Sequence, residues 1–433
     1  MFCQLDTLRR CIPASIRKAL DELPITLDET YERTLECIPK EQRRHAHRLF
    51  QCLIAAIRPL RVEELTEIFA IQFDSKDGPN LVERWRPEDP EEVVLTACSS
   101  LIAIVDAENS KIVQFSHFSV KEFLTSDRLA ASNVGKISQY HIPLKPAHTI
   151  LAQACLTVLL QLDDNTDKKR LGTFPLAFYA AQHWVDHAKF ENVVSQIEDR
   201  MECLFDPRKS HLAAWIWIHD IDSGIQLSMD DLREHPSPRL ANPLFYAGLC
   251  GFKGLAKHLV TMHAEDVNAT CGSRGTPLHG AFRGGQLECM RFLLEHGAAV
   301  DARLYDNKAV SHLASRAGQL EVLRLVLQHG ADINARDYGN WTPLHFASHL
   351  ENLKVMQLVL EYGADVNAQT NSNRTPLFMA SKHGRLELVQ LLLGHGADVH
   401  IRGAADQTPF QCATKRGYHE IAQLLLEHGA ERG

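Results

Sequence analysis

The chain has 433 residues, 45% of them apolar and 23% charged, which supplies several buried cores and argues against a disordered or fibrous chain. Its formal charge of −8 is uneven: residues 241–433 carry 18 basic against 18 acidic residues, and the first 240 hold 28 against 36. A mildly acidic chain without a basic tail is expected to bind no nucleic acid. The longest apolar run, ILAQACLTVLLQL (150–162), is too short and too broken by Gln to span a bilayer. The start, MFCQLDTLRRC, lacks the apolar centre and cleavage site of a signal peptide, and eleven cysteines occur without a CxxC pair. These features predict a cytoplasmic protein with reduced core thiols, no membrane partner, no metal and no cofactor.

In chain order, helices are expected over 15–38, split at Pro24, with Thr26 and Glu29 spaced as a capping box ahead of Tyr31, Leu35 and Ile38. Residues 42–57 place Ala46, Leu49, Phe50, Leu53, Ile54 and Ile57 on one helical stripe, which Arg58–Pro59 stops. Next come a short helix over 62–70, a Pro/Gly/Asp loop to about 90 and a helix over 91–99. LIAIV (101–105) and KIVQF (111–115) around DAENS predict a β-hairpin, and Ser119 with Glu122 predicts the cap of the next helix. Three helices and a hairpin in that order make a winged-helix arrangement. Its helix in the DNA-reading position, EEVVLTACS (91–99), has no Lys or Arg and opens on two Glu, which argues against DNA. From 145 to about 235 the pattern is all-helical, a connector expected to cap the first repeat of the second half.

LPITLDETYERTLECIP, RPLRVEELTEIFAI and VQFSHFSVKEFLTS resemble the stretch after the nucleotide-binding domain in fungal STAND (NACHT-type) proteins, including the winged helix that carries the GPI-inositol-deacylase name. The resemblance covers about residues 5–190. It implies part of a signalling switch similar to animal NLR receptors, with an effector, an NTPase and a repeat sensor. Arg61 departs from it, standing where the family tends to place a helix-capping residue. A NACHT module also needs GxxxxGK[ST], whose amides cradle phosphate. The nearest fragment, NVGKIS (133–138), has neither Gly at 130 nor Ser or Thr at 137. The expectation is a sensor half without its motor: either the NTPase lies upstream of Met1 in a longer protein, or the remnant works alone. The expected domains are a helical remnant (1–40), a winged-helix-like domain (41–130), a helical connector (131–238) and a repeat array (240–433).

The second half repeats itself. TPLH stands at 276–279 and 342–345, TPLF at 375–378 and TPF at 408–410, and the missing copy falls on AVSH at 309–312. HGA or YGA keeps the same 33-residue beat at 296, 329, 362, 395 and 428, and NPLFYAGLCGFKG opens an earlier copy at Asn242. Thr276 can cap a helix whose first residue, Pro277, has no N–H to satisfy, and His279 can reach back to the cap. Gly284–Gly285 ends that helix, and Gly297 ends a second one in a left-handed cap. One unit cannot bury its apolar face alone, so six units must stack. These residues resemble the ankyrin repeat family over roughly 45% of the chain. That implies a mostly α architecture, with a winged-helix-like module and helical connector before an α-solenoid of six ankyrin repeats, and a non-enzymatic protein–protein interaction role. YHEIAQLLLEHG (418–429) is one residue short of the zinc motif HExxH, yet in register it is the sixth copy of GQLEVLRLVLQHG. A metal site would need His in place of Gln423 and a third ligand.

Seven residues after each Thr slot stand Arg283, Arg316, His349, Lys382 and Lys415, with His383 and Arg416 beside the last two. Stacked helices about 10 Å apart would align them into a basic stripe. The hairpin tips add Tyr305, Tyr338, Trp341 and Arg374, types that anchor interfaces. The expected ligand is an acidic extended peptide or acidic protein face, with the acidic first half of this chain as an intramolecular candidate. Two alternatives stay open: Lys or Arg is common at this slot in ankyrin repeats, and Trp341 could lie flat on a neighbouring hairpin. Repeat three, with Ala309–Val310 for Thr–Pro, is the expected weak joint. The last repeat, ending HGAERG without a polar capping helix, is expected to fray over 405–433 or to self-associate.

Overall fold

A computed structural model describes residues 26–76, 78–107, 110–131, 137–222, 232, 235–236, 241–349 and 352–432. The expected helical stretch 15–25, the tip of DAENS and most of NVGKIS lie outside them. The chain divides into two compact units, Met1–Pro238 and Arg239–Gly433.

The first unit opens with α1 (Leu27–Glu36), capped as its spacing predicts: Thr26 Oγ1 accepts from Glu29 N at 3.2 Å. α2 (Arg43–Ala55) buries Ala46, Leu49, Phe50 and Ile54. It stops two residues before Ile57, which is therefore exposed rather than on the stripe. β1 (Leu60–Arg61) leads into α3 (Val62–Phe69), then a two-residue ribbon of β2 (Ile71–Gln72) with β3 (Asn80–Leu81), then α4 (Pro90–Cys98). The hairpin is β4 (Ile102–Ala107) and β5 (Ser110–Phe115), and β1 pairs on β5 so that the sheet runs β1-β5-β4, all antiparallel. Leu60 and Ile104 flank Val113 in register, and Leu49, Leu65, Val94, Leu101 and Val120 close the core beneath. This is the helix, strand, helix, helix, hairpin order of a winged helix. Two local expectations change. Arg61 caps α3 without offering an acceptor, and Glu64 takes over: its carboxylate accepts from Arg61 N at 2.8 Å and from both Nη atoms of Arg58 at 2.8 and 2.6 Å. Ser119 is not the cap of α5 (Phe118–Leu124). His117 is, because the Ser119 hydroxyl is engaged with Tyr31 Oη at 2.7 Å and the imidazole at 2.6 Å.

The helical part of this unit comprises α6 (Asp127–Ala130), α7 (Leu144–Leu159), α8 (Lys168–Leu171), α9 (Ala177–Lys189), α10 (Glu198–Phe205) and α11 (His211–Ile218). Its core is aromatic, with Trp184, Phe205 and Trp215 in mutual ring contact and the Trp215 Nε1–H donating to Ala181 O at 2.9 Å. No described helix is long and apolar enough to cross a membrane.

The second unit stacks helix pairs. The inner helices are α12 (Pro243–Cys250), α14 (Pro277–Arg283), α16 (Val310–Ala317), α18 (Pro343–His349), α20 (Pro376–His383) and α22 (Pro409–Lys415). The outer ones are α13 (Lys253–Met262), α15 (Leu287–Glu295), α17 (Leu320–Gln328), α19 (Leu353–Glu361), α21 (Leu386–Gly394) and α23 (His419–Glu427). Inner packs on inner and outer on outer. Outer helices from the second repeat on end two residues before glycines in the left-handed region, Gly297, Gly330, Gly363, Gly396 and Gly429, with φ of 81° to 92°. Hairpin tips turn at Asn307, Asn340 and Asn373, also left-handed at φ 55° to 63°.

The caps vary by repeat as the sequence does. Asn242 and Thr375 accept from the N–H three residues on, and Thr408 exchanges bonds with Gln411 in both directions. In the middle repeats the histidine returns the bond: Nδ1 of His279, His312 and His345 accepts from the N–H of Thr276, Ala309 and Thr342 at 3.3, 3.2 and 3.1 Å. Repeat three keeps this half of the box, and only the Ala309 side lacks an acceptor. Phe410 in the last repeat is half-buried, whereas its equivalents Leu278, Ser311, Leu344 and Leu377 are fully buried.

Candidate protein-binding groove

The inner helices of repeats two to six each carry a basic side chain in the last turn, which faces water. Arg283, His349 and Lys415 close α14, α18 and α22, and Arg316 and Lys382 stand one residue before the ends of α16 and α20. Arg283, Arg316, His349, Lys415 and Arg416 are exposed, and Lys382 and His383 are half-buried. Several cations elsewhere in the array are paired, with Lys308 on Asp306 at 2.6 Å, Arg402 on Asp406 at 3.2 Å and Arg291 on Glu288 at 3.8 Å. Among the described residues no ion pair engages Arg316, Lys382, Lys415 or Arg416.

The stripe condenses over repeats four to six. His349 and His383 stand edge to face with ring centroids 5.0 Å apart. Burial first, then His349, Lys382, Arg416 and Arg385, hold the His383 pKa below the ordinary imidazole value, a direct sign of local positive field. Arg385 belongs to this cluster and no periodic signal marks it, since the same slot is Gln286, Gln319 and Asn352 in earlier repeats.

The aromatic residues divide into two roles. Tyr305 and Tyr338, one repeat apart at the hairpin tips, are 84% and 72% exposed. Trp341 is half-buried against its own repeat, 5.1 Å from Phe346, 6.0 Å from His345 and 6.1 Å from His349 between ring centroids. Its N–H donates to Asp337 Oδ1 at 2.8 Å, which seats the hairpin. Trp341 therefore packs on its own inner helix, not on a neighbouring hairpin, and forms groove wall. Arg374 is also half-buried, and its carbonyl accepts from His345 Nε2 at 3.0 Å. With Nδ1 accepting, the proton of His345 sits on Nε2, so the ring joins its own cap to the next repeat. Burial holds His279, His312 and His345 at pKa values of about 4, neutral at physiological pH.

The asparagines of the VNA and INA segments also fix the spacing between repeats. Asn268, Asn334 and Asn367 each accept, through Oδ1, the N–H of the residue 31 positions on, at 2.7 to 2.8 Å. Their Nδ2 atoms donate to Gly297, Gly363 and Gly396 carbonyls at 3.1 to 3.5 Å. In repeat three Asp301 keeps the accepting half only, from Asp332 N at 3.0 Å. The recurrence was legible in the sequence, and its bridging role was not.

Comparison with known proteins places these features. The ankyrin repeats family matches in three copies, over residues 244–337, 336–403 and 370–432, and the winged helix domain named for GPI inositol-deacylase matches residues 31–134. The azaphilone pigments biosynthesis cluster protein L of Monascus ruber is 30% identical over 295 residues, 65% of this chain and 61% of that one. The chain thus spans less than two thirds of that relative. Alpha-latrocrustotoxin-Lt1a of Latrodectus tredecimguttatus is 35% identical over 65 residues, 15% of this chain and 5% of the toxin. Among solved structures, the ankyrin repeat domain of Bcl-3, of the IkappaB protein family, is 31% identical, covering 44% of this chain and 87% of that one at a TM-score of 0.42.

Proposed function

We propose that this chain, a winged helix domain followed by ankyrin repeats, is a non-enzymatic protein-interaction scaffold whose groove takes an extended acidic segment. The ankyrin repeats support protein binding in general. The finer reading rests on one observation, the row of cations at the inner-helix ends, of which Arg316, Lys382, Lys415 and Arg416 have no ion pair among the described residues, beside the projecting rings of Tyr305 and Tyr338. Charges in such a row steer an acidic partner, and buried aromatics slow its release. The array is neutral overall, and at physiological salt the field of its stripe is screened over about 8 Å.

The winged helix belongs with the NACHT-associated region, and we read the chain as the sensor part of an NLR-like signalling protein. A second reading is favoured by that same match: the chain is part of a longer NACHT receptor whose NTPase precedes it. The acidic first half, with 28 basic against 36 acidic residues, is itself a candidate occupant of the groove. The biosynthesis-cluster relative makes pathway proteins reasonable candidates to screen as partners.

The test uses a fluorescent peptide alternating Glu with Leu, titrated into the full chain at several salt concentrations. Arg316→Glu with Lys382→Glu is expected to cut the on-rate about tenfold or more and flatten its salt dependence. Tyr338→Ala is expected to speed release with little effect on association. Parent-like kinetics in both variants would show that the groove is not the site.

A further inference from the structure

The first turns of α2 carry a charge pattern that helix physics disfavours. KEQRRHAHR places Lys40, Arg43, Arg44, His45, His47 and Arg48 around the start of a 13-residue helix, where the dipole presents positive charge. No acidic residue occupies the first turn, and Gln42 at the N-cap makes no side-chain capping bond. By contrast α1 opens on Asp28 and Glu29, α3 on Glu63 and Glu64, and α4 on Glu91 and Glu92.

These side chains border a cavity of about 630 Å³, within the range of small-molecule sites. Its wall includes Lys40, Arg43, Arg44, Arg48 and Tyr140, against a single carboxylate, Asp74, which is already paired with Arg44. Arg43 spends only Nε, on Ile38 O at 3.3 Å, and Arg48 lies flat on Phe73 at 4.2 Å, leaving its guanidinium edge free of ion pairs among the described residues. The decisive atom is the Tyr140 hydroxyl. The side chain is 1% exposed, it is packed on Phe50 at 6.3 Å, and its oxygen is buried with no hydrogen-bond partner among the described residues. A buried hydroxyl left unpaired is costly, so its position needs an acceptor that the described protein does not supply. Arg44, Arg48 and Asp74 also line a second, neighbouring cavity of about 690 Å³, whose wall includes Phe69, Ile71, Trp85, Val93 and the carboxylate of Glu92.

We propose that the head of α2 is a binding site for an organic phosphate, with the phosphate held by Tyr140, Arg43, Arg48 and Lys40 and an apolar body lying against Trp85 and Phe69. A phosphate supplies several acceptors and at least one full negative charge. It would satisfy the orphaned hydroxyl, offset the mutual repulsion of the cations and complete the helix end in one step. The apolar neighbour distinguishes this site from one for free inorganic anion. It lies on the first unit and does not depend on the groove reading.

The test is calorimetric titration of the full chain with pyrophosphate and with phenyl phosphate, alongside flotation with vesicles holding a phosphoinositide in phosphatidylcholine. Both small probes are expected to bind, phenyl phosphate more tightly per charge. Tyr140→Phe should weaken each about tenfold, the effect of one charge-assisted hydrogen bond. Arg43→Gln with Arg48→Gln should weaken them about a hundredfold, and Lys354→Glu on the outer helix α19 should change nothing. Because its hydroxyl has no partner, Tyr140→Phe should raise the melting temperature without ligand by about 2–4 °C and lose that advantage in 10 mM pyrophosphate. Vesicle binding lost in Tyr140→Phe would identify a lipid headgroup as the source of the phosphate; binding of the soluble probes alone would identify a metabolite. Equal affinity of parent and Tyr140→Phe, or no binding of either probe at 10 mM, would overturn the proposal.

Discussion

The two units solve the same problem, burial of apolar side chains, by opposite means. The first relies on bonds made once, between residues far apart in the chain. Tyr31 meets Ser119, Ile57 N meets Tyr179 Oη at 3.2 Å, and the Glu67 carboxylate receives Leu176 N at 2.6 Å and Arg86 at 2.5 Å. The second makes a few bonds again and again, His to the cap three residues back and Asn to the neighbour 29 to 31 residues on. A unit of the first kind fails as a whole when one bond is removed. A unit of the second kind can lose one and fail locally, because each repeat touches only its neighbours.

The largest effect should break the first unit. Glu67 is buried, and burial, as the leading cause, raises its pKa against the pull of Leu176 N and Arg86. Glu67→Ala leaves the Arg86 guanidinium and the Leu176 N–H without their acceptor, and is expected to cost about 3–5 kcal/mol. Hydrogen exchange should show protection lost across the whole first unit and unchanged in residues 241–432. Loss confined to α3 would mean that this unit is not cooperative.

Acid should separate the repeats of the array from one another. His279, His312 and His345 have folded pKa values of about 4, below the unfolded value near 6.5. The unfolded array therefore binds more protons between these limits. Stability is full above about pH 6.5 and is lost as pH falls towards 4, by about 3 kcal/mol for each histidine at the end of that window. Equilibrium urea unfolding followed by repeat-specific probes from pH 7 to 4.5 should show repeats two to four failing before repeat five, whose slot is Phe378. In the first unit His187, held at about 3, and His45, His47, His148 and His219, whose pKa values burial also lowers, act in the same direction. Coincident acid loss in all repeats would remove the histidines as the cause.

Repeat three offers a smaller, stabilising test. Thr at 276, 342 and 375 is as buried as Ala309, so the slot has room for Thr, and Val310 stands at a first helical position where Pro fits. Ala309→Thr with Val310→Pro should add about 1 kcal/mol from the cap and about 0.4–1 kcal/mol through the unfolded chain. Slower exchange at 305–325 would register it; unchanged exchange there would count against the capping account. The smallest effect, about 0.5–1 kcal/mol, is expected from Asp301→Asn, which restores the donating half of the interrupted bridge. A change of opposite sign would mean that the charged acceptor on Asp332 N outweighs the missing donor.

The sequence by itself determined the repeat count, the helix pairs, the stop at each glycine, the stripe of basic residues and the winged-helix element order. All of them arise from regular spacings along the chain: the 33-residue period, cap to helix, glycine to left-handed turn, alternation to hairpin. The tertiary structure alone decided the rest. It set Trp341 on its own helix, gave the capping of α5 to His117 because Tyr31 had claimed Ser119, and moved Ile57 into solvent by ending α2 early. It also brought Arg385 beside His383 and buried the Tyr140 hydroxyl among the cations of α2, residues about 90 positions apart. None of these has a local spacing to read. Each depends on which distant side chain already occupies the only partner within reach, and packing settles that competition, not periodicity.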